Sequence, residues 1–435
     1  MKHALALIRD DKLFSAIYVA GTAVAIASAM VIAIVLNIML ADIKPEVNRS
    51  RTLYLMNIFQ KESQEEPFTE YSSTIAIDSC FRQMKCVEAV AAIADAYTIL
   101  DTEASDTTKQ HTVAIAYFDT NPDFFRLYEF DFISGRPFSE KEFRDGNNVC
   151  VISDKLLPLT MGGETIRING FIYHVVGVVK RLSSAMTGAA SDLYVPYTSQ
   201  ALKYDPELKR EQTYDISYAG SLSVRILLKQ GFSRQDFLDE LEPLRKHYEA
   251  VTSAQIGEKL SWTVIAKSHF FNQITFMSDD KESTAIKALS LTPMVILMLL
   301  FLFLPAINLS GLVSNRMEAR RPEMGIRKAF GAKRRTLLNE VLFENLVLTL
   351  CGGAVGWVLS SLFICVMRNN VFFQIIFQKW GQKSIDFSFD FQMFFTPTLF
   401  LVCFVCCAVL NLMAALIPAW RSLKSPIVES LNQKR

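Results

Sequence analysis

A short basic segment is the part of the sequence whose residue types and spacing predict a specific interaction. It contains Pro322, Glu323, the pair Arg327 and Lys328, and Gly331. Proline is favoured in the first turn of a helix, and an acidic residue there stabilises the positive end of the helix dipole. Basic residues stabilise the negative end, and glycine readily adopts the left-handed conformation that stops a helix. The spacing therefore predicts a short, capped helix.

The helix predicted over about residues 322–330 has two chemically different edges. Ile326 and Phe330 are four residues apart and share an apolar face, whereas Arg327 and Lys328 form a basic edge. A helix of this kind can dock in a groove of a partner protein. Alternatively, the basic residues serve only to fix membrane topology and to contact lipid headgroups. That alternative explains the charge but not the bracketing proline and glycine, so docking is favoured.

Motifs for catalysis at phosphates, metals or nucleophiles are missing from the sequence. There is no Gly-Lys dipeptide, so there is no P-loop, whose lysine is needed at the phosphates. No histidine is followed by glutamate, which excludes the HExxH zinc motif, and no GxSxG motif occurs. Cys403 and Cys406 have CxxC spacing but lie in an apolar run, where packing is the favoured interpretation. We therefore expect no catalytic, metal-binding or cofactor-binding residue in this chain.

Four apolar stretches are long enough to cross a bilayer, which takes about 20 residues of helix. They run over about Phe14–Leu40, Ala285–Val313, Leu337–Met367 and Phe395–Trp420. A cleaved signal peptide is an alternative for the first stretch, but its apolar sequence continues through Met30–Leu36, beyond the small residues. An uncleaved anchor is therefore favoured.

Basic residues flank these stretches on one side of the membrane if there are four spans. They cluster before the first span, between the second and third, and after the fourth. Because basic loops face the cytoplasm, both termini are predicted to be cytoplasmic and the segment between the first two spans to lie outside. The predicted divisions are 1–40 (N-terminus and first span), 41–284 (extracytoplasmic domain), 285–420 (spans two to four with the short helix over about 322–330) and 421–435 (cytoplasmic tail).

Alternation of apolar and polar residues predicts a mixed α/β extracytoplasmic domain. The predicted strands are Thr52–Phe59, Val113–Phe118, Val149–Ile152, Thr165–Ile168, Tyr173–Val179, Ser221–Leu228 and Trp262–Ala266. Asn169 and Gly170 predict a hairpin, and Ser233–Val251 predicts a helix with Ser233 as its N-cap. A strand-rich subdomain over about 121–200 is interpreted as an insertion into an α/β part.

The fold class is thus a membrane protein with four transmembrane helices and a large α/β extracytoplasmic domain between helices one and two. The chain has 435 residues, of which 51% are hydrophobic, which fits a mixture of spans and a water-exposed domain. A net charge of +1 gives no reason to expect nucleic acid as a partner. Whether Cys80 and Cys86 form a disulfide is left open by the sequence.

Several motifs resemble known ABC-transporter permeases. Arg316–Arg335 is similar to the signature of the FtsX-like permeases, and Ile417–Leu431 is similar to their closing motif. In the extracytoplasmic region, the motifs that resemble the core domain of MacB-type permeases are Phe130–Phe138, Val149–Ser153 and Tyr173–Lys180. Met324, Phe330 and the stretch Leu156–Gly163 depart from the usual family pattern without disturbing the class.

The resemblance implies a permease subunit in the bacterial cytoplasmic (inner) membrane, with a separate ABC ATPase subunit that binds ATP and Mg. It implies that the predicted short helix is the coupling helix. The residues assigned to ATPase coupling are Glu323, Met324, Gly325, Ile326, Arg327, Lys328, Ala329, Phe330, Gly331 and Ala332. It also implies a homodimer or a heterodimer with a similar permease, and a periplasmic adaptor with an outer-membrane channel as further partners, besides membrane lipid.

Three functions remain open at this point. The first is efflux or export of a drug, peptide or similar molecule, in which ATP hydrolysis does work outside the membrane by mechanotransmission. The second is a lipoprotein-releasing permease with the same four-span layout. The third is transport-independent signalling across the membrane to cell-wall hydrolases. A membrane enzyme is disfavoured because the catalytic constellations are missing from the sequence.

Overall fold

The computed structural model describes residues 12–63, 66–102, 111–168, 171–182, 188–199, 220–274, 284–367 and 397–424. The chain separates into two compact units. We call them the helical unit (Met1–Asn37, Ala288–Ile376 and Asp390–Arg435) and the ectodomain unit (Ile38–Lys287 and Phe377–Phe389).

The described residues form ten α-helices and eleven strands. The helices are α1 (Lys12–Leu40), α2 (Thr74–Ser79), α3 (Phe124–Leu127), α4 (Glu140–Arg144), α5 (Arg234–Ile256), α6 (His269–Ile274), α7 (Thr284–Ala319), α8 (Arg321–Ala329), α9 (Arg334–Met367) and α10 (Pro397–Lys424). The strands are β1 (Thr52–Lys61), β2 (Phe68–Glu70), β3 (Val87–Thr102), β4 (His111–Thr120), β5 (Phe132–Gly135), β6 (Val149–Ser153), β7 (Thr165–Ile168), β8 (Phe171–Val179), β9 (Leu193–Pro196), β10 (Ser223–Leu228) and β11 (Leu260–Ser268).

All eleven described strands belong to one sheet with the order β11-β1-β10-β3-β4-β9-β6-β8-β5, and β2 and β7 pair beside β1 and β8. The strand β9 runs parallel to β4 and joins strands β5 to β8 to the rest. The seven strands predicted from alternation are confirmed, whereas β2, β3, β5 and β9 were missed. The boundary of about 121–200 for an inserted subdomain stays a prediction. The predicted hairpin turn at Asn169 and Gly170 lies outside the described residues, although β7 and β8 on either side pair antiparallel.

The helix α5 and one face of the sheet enclose the first core of the ectodomain unit. The helix begins at Ser233, whose side chain forms a capping box with Asp236, as the predicted N-cap requires. It buries Phe237 and Leu241 among residues drawn from 53–94 and 222–266. Both ends of the ectodomain sequence therefore build one core, and the fully buried Trp262 lies within it.

The two thiols whose pairing the sequence left open belong to this core. Cys80 and Cys86 are both free and buried. Burial raises the pKa of Cys80 to about 11 and the pKa of Cys86 to about 12. Both are therefore protonated packing residues at neutral pH.

A buried charged network lies just after α1 in the sequence, within the ectodomain unit. Glu46, Arg49 and Arg225 are each less than a twentieth exposed. Arg49 Nε donates to Glu46 Oε2 at 2.7 Å, and Arg49 Nη1 donates to the carbonyl of Ala41 at 2.7 Å. The second Glu46 oxygen accepts from the backbone N–H of Gly188 at 2.9 Å. The segment that follows α1 is thereby held by hydrogen bonds inside the ectodomain unit.

The same network reaches the end of β11. Arg225 lies 5.5 Å above the ring of Tyr54, whose hydroxyl is 2.9 Å from Nδ1 of His269, the first residue of α6. Burial alone raises the pKa of Glu46, but Arg49, His269 and Arg225 outweigh it, so this pKa lies below its ordinary value. Glu46 is therefore a carboxylate in the folded protein.

Three of the described helices are long and apolar enough to cross a membrane, and they contain the stretches Lys12–Ile34, Arg334–Phe363 and Phe400–Ser422. These correspond to the first, third and fourth predicted spans. The second predicted span falls within α7, a 36-residue helix in which many side chains are outside the described set. The four-span count therefore stays a prediction.

Glycines on α9 allow close helix packing inside this chain. A Cβ at Gly352 would lie 2.7 Å from Thr22 Cβ, and one at Gly356 would lie 2.8 Å from the carbonyl oxygen of Ala23. Both neighbours belong to α1, so α1 and α9 approach each other at their backbones. These two glycines therefore serve packing between helices of one chain.

Replacing either α9 glycine should destabilise the helical unit. In Gly352→Ala or Gly356→Ala, the added methyl group forces a shift of α1, and overpacking of this kind costs about 1–3 kcal/mol. The matched control is Gly311→Ala in α7, where a Cβ meets nothing within 4 Å. Thermal unfolding of the full chain in detergent should show a lower midpoint for the two α9 variants. Midpoints equal to that of Gly311→Ala would contradict the close packing.

Removing the buried carboxylate of Glu46 should destabilise the ectodomain unit. Breaking a buried ion pair from one side costs about 3–5 kcal/mol, because it leaves an uncompensated charge. Since the folded-state pKa is lowered, this contribution is present above about pH 4.5 and is lost as the pH falls through the folded-state pKa. Unfolding midpoints of wild type and Glu46→Gln should therefore differ most at neutral pH and converge in acid.

The control for the Glu46 experiment is Glu88→Gln. Glu88 pairs with Arg51 at 2.9 Å in a partly exposed position. Exposed pairs contribute about 0–1 kcal/mol, so this variant should unfold nearly as wild type does. Equal losses in the two variants would show that the buried network contributes nothing beyond a surface pair.

Candidate functional site

The predicted short helix is present as α8 (Arg321–Ala329), between α7 and α9. Pro322 and Glu323 lie in its first turn, and Arg327 and Lys328 lie in its last turn. Gly331 has φ of +91° and follows the helix, so the predicted left-handed stop is confirmed.

The apolar edge of α8 faces away from the rest of the helical unit. Ile326 is 49% exposed and Phe330 is 88% exposed. On the opposite face, Met324 packs against a buried cluster that includes Tyr18 of α1 and Leu348 of α9. Met324 thus packs α8 against the helical unit, whereas Ile326 and Phe330 remain exposed.

The basic edge is largely engaged within the chain. Arg327 Nη2 lies 2.7 Å from Glu323, and Nη1 donates to both carboxylate oxygens of Glu340 on α9 at 3.1 and 3.2 Å. Lys328 is half-buried, and burial together with the charge of Arg334 lowers its pKa below the ordinary value. The basic edge predicted from the sequence is present, but Arg327 is paired within the chain, so a partner would meet mainly the apolar edge.

The remaining residues assigned to coupling also have defined positions. Gly325 is buried, and Ala332 is half-buried. Glu323, Ala329 and Gly331 are exposed. The exposed set therefore surrounds Ile326 and Phe330 on one side of α8.

Two arginines that flank the start of α8 bind a single buried carboxylate, a pairing that sequence reasoning missed. Glu344 of α9 is 3% exposed and forms ion pairs with Arg316, near the end of α7, and with Arg320 at 3.0 Å. The guanidinium of Arg316 also lies 4.3 Å above the ring of Phe14. The available signal was an acidic residue in an otherwise apolar span, together with Glu340 one turn earlier.

In the part of the chain that the structure describes, there is no group of three His, Cys, Asp or Glu side chains placed to hold a metal ion. The described chemistry of the site consists of ion pairs and an exposed apolar edge.

Comparison with protein-family models gives two matches. Residues 15–244, more than half of the chain, match the MacB-like periplasmic core domain. Residues 295–427 match the FtsX-like permease C-terminal region, which includes most of α7 and all of α8, α9 and α10. The two matches occur in the order expected from the motifs.

Several curated proteins are similar to this chain. An uncharacterised ABC transporter permease, YknZ of Bacillus subtilis, is 25% identical over 51% of this chain and 50% of its own length. The macrolide export ATP-binding/permease protein MacB of Pasteurella multocida is 23% identical over 74% of this chain and 44% of its own length. MacB of Escherichia coli K12 is 24% identical over 72% of this chain and 42% of its own length. The chain spans half or less of the length of these relatives.

Solved structures give weaker likenesses. The periplasmic region of MacB from Actinobacillus actinomycetemcomitans matches 53% of this chain and 95% of its own, with 13% identity and a TM-score of 0.34. The extracellular domain of YknZ matches 49% of this chain and 99% of its own, with 17% identity and a TM-score of 0.33. Because both scores are low, the assignment depends on the sequence matches. Those matches show that the chain belongs to the family with the MacB-like periplasmic core domain, and that it is an FtsX-like ABC-transporter permease.

Proposed function

We propose that this chain is the transmembrane subunit of an ABC transporter and that α8 docks onto a separate ATPase subunit, which binds ATP and Mg. The observation that carries the proposal is the exposed apolar edge of α8, where Phe330 is 88% exposed on a helix otherwise seated in the helical unit. Membership of an ABC permease family implies an ATPase partner. The sequence itself has no P-loop lysine, so the partner would supply the nucleotide chemistry.

The exposed edge has the properties of a small docking surface. Burying a phenylalanine or isoleucine side chain contributes about 1.5–3 kcal/mol, and Ile326 and Phe330 lie one turn apart. Lys328 lies on the neighbouring edge with a lowered pKa. An acidic residue of the partner would favour the charged form of Lys328 and add to the attraction.

Mechanotransmission is the mode of transport that the spans support. No Asp, Glu, Lys or Arg occurs between residues 13 and 40, between 345 and 367, or between 397 and 420. Charged side chains within a membrane usually mark a path for a polar substrate, and these stretches offer none. Stiff helices that transmit movement to an external domain account for the same sequence, so work would be done on a substrate outside the membrane.

The buried network of the ectodomain unit fits this mode. It joins the segment that follows α1, through Glu46 and Arg49, to the residue that follows β11, His269. A force on either connection would reach the core strands β1 and β10, which carry Tyr54 and Arg225. Export of a drug, peptide or similar molecule is the favoured outcome, because the MacB relatives are named for macrolide export.

The topology that we propose has four spans, with α7 as the second, in the bacterial cytoplasmic (inner) membrane. Both termini would be cytoplasmic and the ectodomain unit would lie outside. The functional assembly would be a homodimer or a heterodimer with a similar permease, with a periplasmic adaptor and an outer-membrane channel as further partners. Since Gly352 and Gly356 are occupied within the chain, the dimer contact would use other surfaces.

Replacing the exposed apolar side chains of Ile326 and Phe330 should prevent binding of the ATPase subunit without unfolding the permease. We expect Ile326→Ser with Phe330→Ser to insert and fold normally, and each lost apolar contact should weaken binding about tenfold to hundredfold. The measurement is affinity purification from native membranes in mild detergent, with mass spectrometry of the P-loop protein recovered with wild type. The rate of permease-stimulated ATP hydrolysis should decrease in step with the amount of that P-loop protein recovered.

The control for this experiment is Phe232→Ser, which removes an exposed phenylalanine of the ectodomain unit. It should leave ATPase recovery at the wild-type level. Full recovery of the ATPase with the doubly substituted edge would refute α8 as the docking site. Failure of wild type itself to recover any P-loop protein would instead favour a receptor or scaffold.

A further inference from the structure

The helix α8 is tied to α9 at both of its ends. Arg320, the residue that precedes α8, meets Glu344, and Arg327 in the last turn of α8 meets Glu340. Arg316, on the last turns of α7, shares the same Glu344. The two acidic residues are four positions apart, so they lie on one face of α9. We call these contacts the hairpin ion pairs.

Two of the hairpin ion pairs are nearly excluded from water. The side chains of Arg316 and Glu344 are 9% and 4% exposed, and that of Arg320 is 19% exposed. A buried charge pair has little tolerance for the loss of one partner, because the remaining charge is left unsolvated. The Arg327 and Glu340 side chains are 36% and 37% exposed. The charges of this pair can therefore be reversed without leaving a buried charge unsolvated.

We infer that Glu344 and Glu340 are positioning residues, and that Arg316, Arg320 and Arg327 hold α8 in place while Ile326 and Phe330 contact the partner. This inference rests on the proposed function of α8. It gives Arg327, one of the residues that the sequence assigned to ATPase coupling, a role within the chain.

The length of α8 makes such anchoring necessary. It has nine residues, and isolated helices shorter than about 12–15 residues are marginal in water. A short helix passes on a displacement only if it keeps its shape and its attachment. The hairpin ion pairs fix its two ends, and Met324 packs between them against the buried cluster. The hairpin ion pairs would therefore make α7 and α9 move together with the exposed edge of α8.

A charge exchange tests the role of Arg327. Arg327→Glu places a carboxylate beside Glu340 and Glu323, and we expect at least a tenfold loss of permease-stimulated ATP hydrolysis. The double variant Arg327→Glu with Glu340→Arg recreates the pair with reversed signs, and activity should return to within about threefold of wild type. If Arg327 contacts the ATPase or an anionic lipid, the double variant will stay as impaired as Arg327→Glu, and the inference is overturned.

Amide hydrogen exchange of the permease alone gives a readout that does not require the ATPase. Exchange over residues 321–333 should be at least tenfold faster in Arg327→Glu and should return toward wild type in the double variant. Unchanged protection in the single variant would also overturn the inference. The control is Glu318→Arg, a charge change at an exposed position on the last turn of α7.

The buried carboxylate is tested by Glu344→Gln and Glu344→Asp. We expect Glu344→Gln to keep ATPase recovery within about threefold while losing stimulation tenfold or more, and Glu344→Asp to restore part of it. Loss of recovery and stimulation in equal measure, in a chain that still elutes as a single species, would overturn the positioning role. If Glu344→Gln fails to fold, the charge exchange between the partly exposed Arg327 and Glu340 still tests whether these ion pairs position α8. Wild type that recruits no ATPase would refute the proposed function instead.

Discussion

The hydrocarbon interior of the membrane is the constraint on which the rest of this structure depends. It requires the backbone to satisfy its own hydrogen bonds and makes a charged side chain costly. The helices are accordingly free of charge along their middle and are joined by close contacts such as Gly352 with Thr22. A polar contact between α1 and the middle of α9 is neutral, since it joins Tyr18 and Thr349 at 3.3 Å. Strong electrostatic contacts are therefore placed where the helices end.

Both groups of buried charges adjoin, along the sequence, the end of a long helix. Glu46 and Arg49 follow α1, whereas Arg316 and Arg320 lie at the end of α7. Buried ion pairs add little net stability compared with apolar packing, but they specify one arrangement because the unpaired alternatives are costly. In the proposed mechanism, the direction of the chain must be fixed at such places for a movement to be passed on. We interpret both groups as determinants of geometry rather than of overall stability.

The sequence predicted local features well because local physics determines them. The helix α8 follows from Pro322 and Gly331, and α5 follows from its capping residue Ser233. Strand β3 was missed because residues such as Ala91 and Ala92 are buried in succession in the middle of the sheet, which removes the alternation that marks a half-buried strand. The pairing of Arg327 with Glu340 spans two helices, so no local pattern indicates it. The sequence therefore predicted a basic edge but not its pairing with Glu340.

The engagement of that edge limits how α8 can recognise a partner. With Met324 and the arginines occupied inside the chain, the surface left for docking is small and centres on Ile326 and Phe330. In the proposed assembly, two apolar side chains would give a contact weak enough to rearrange during each ATP cycle. Stable association then requires a second contact, and a dimer of permeases would provide one by presenting two α8 helices to two linked ATPase subunits. Linked sites of this kind raise the total affinity without strengthening either contact. The small size of the exposed edge is thus an argument for a dimeric assembly, independent of any surface on the spans.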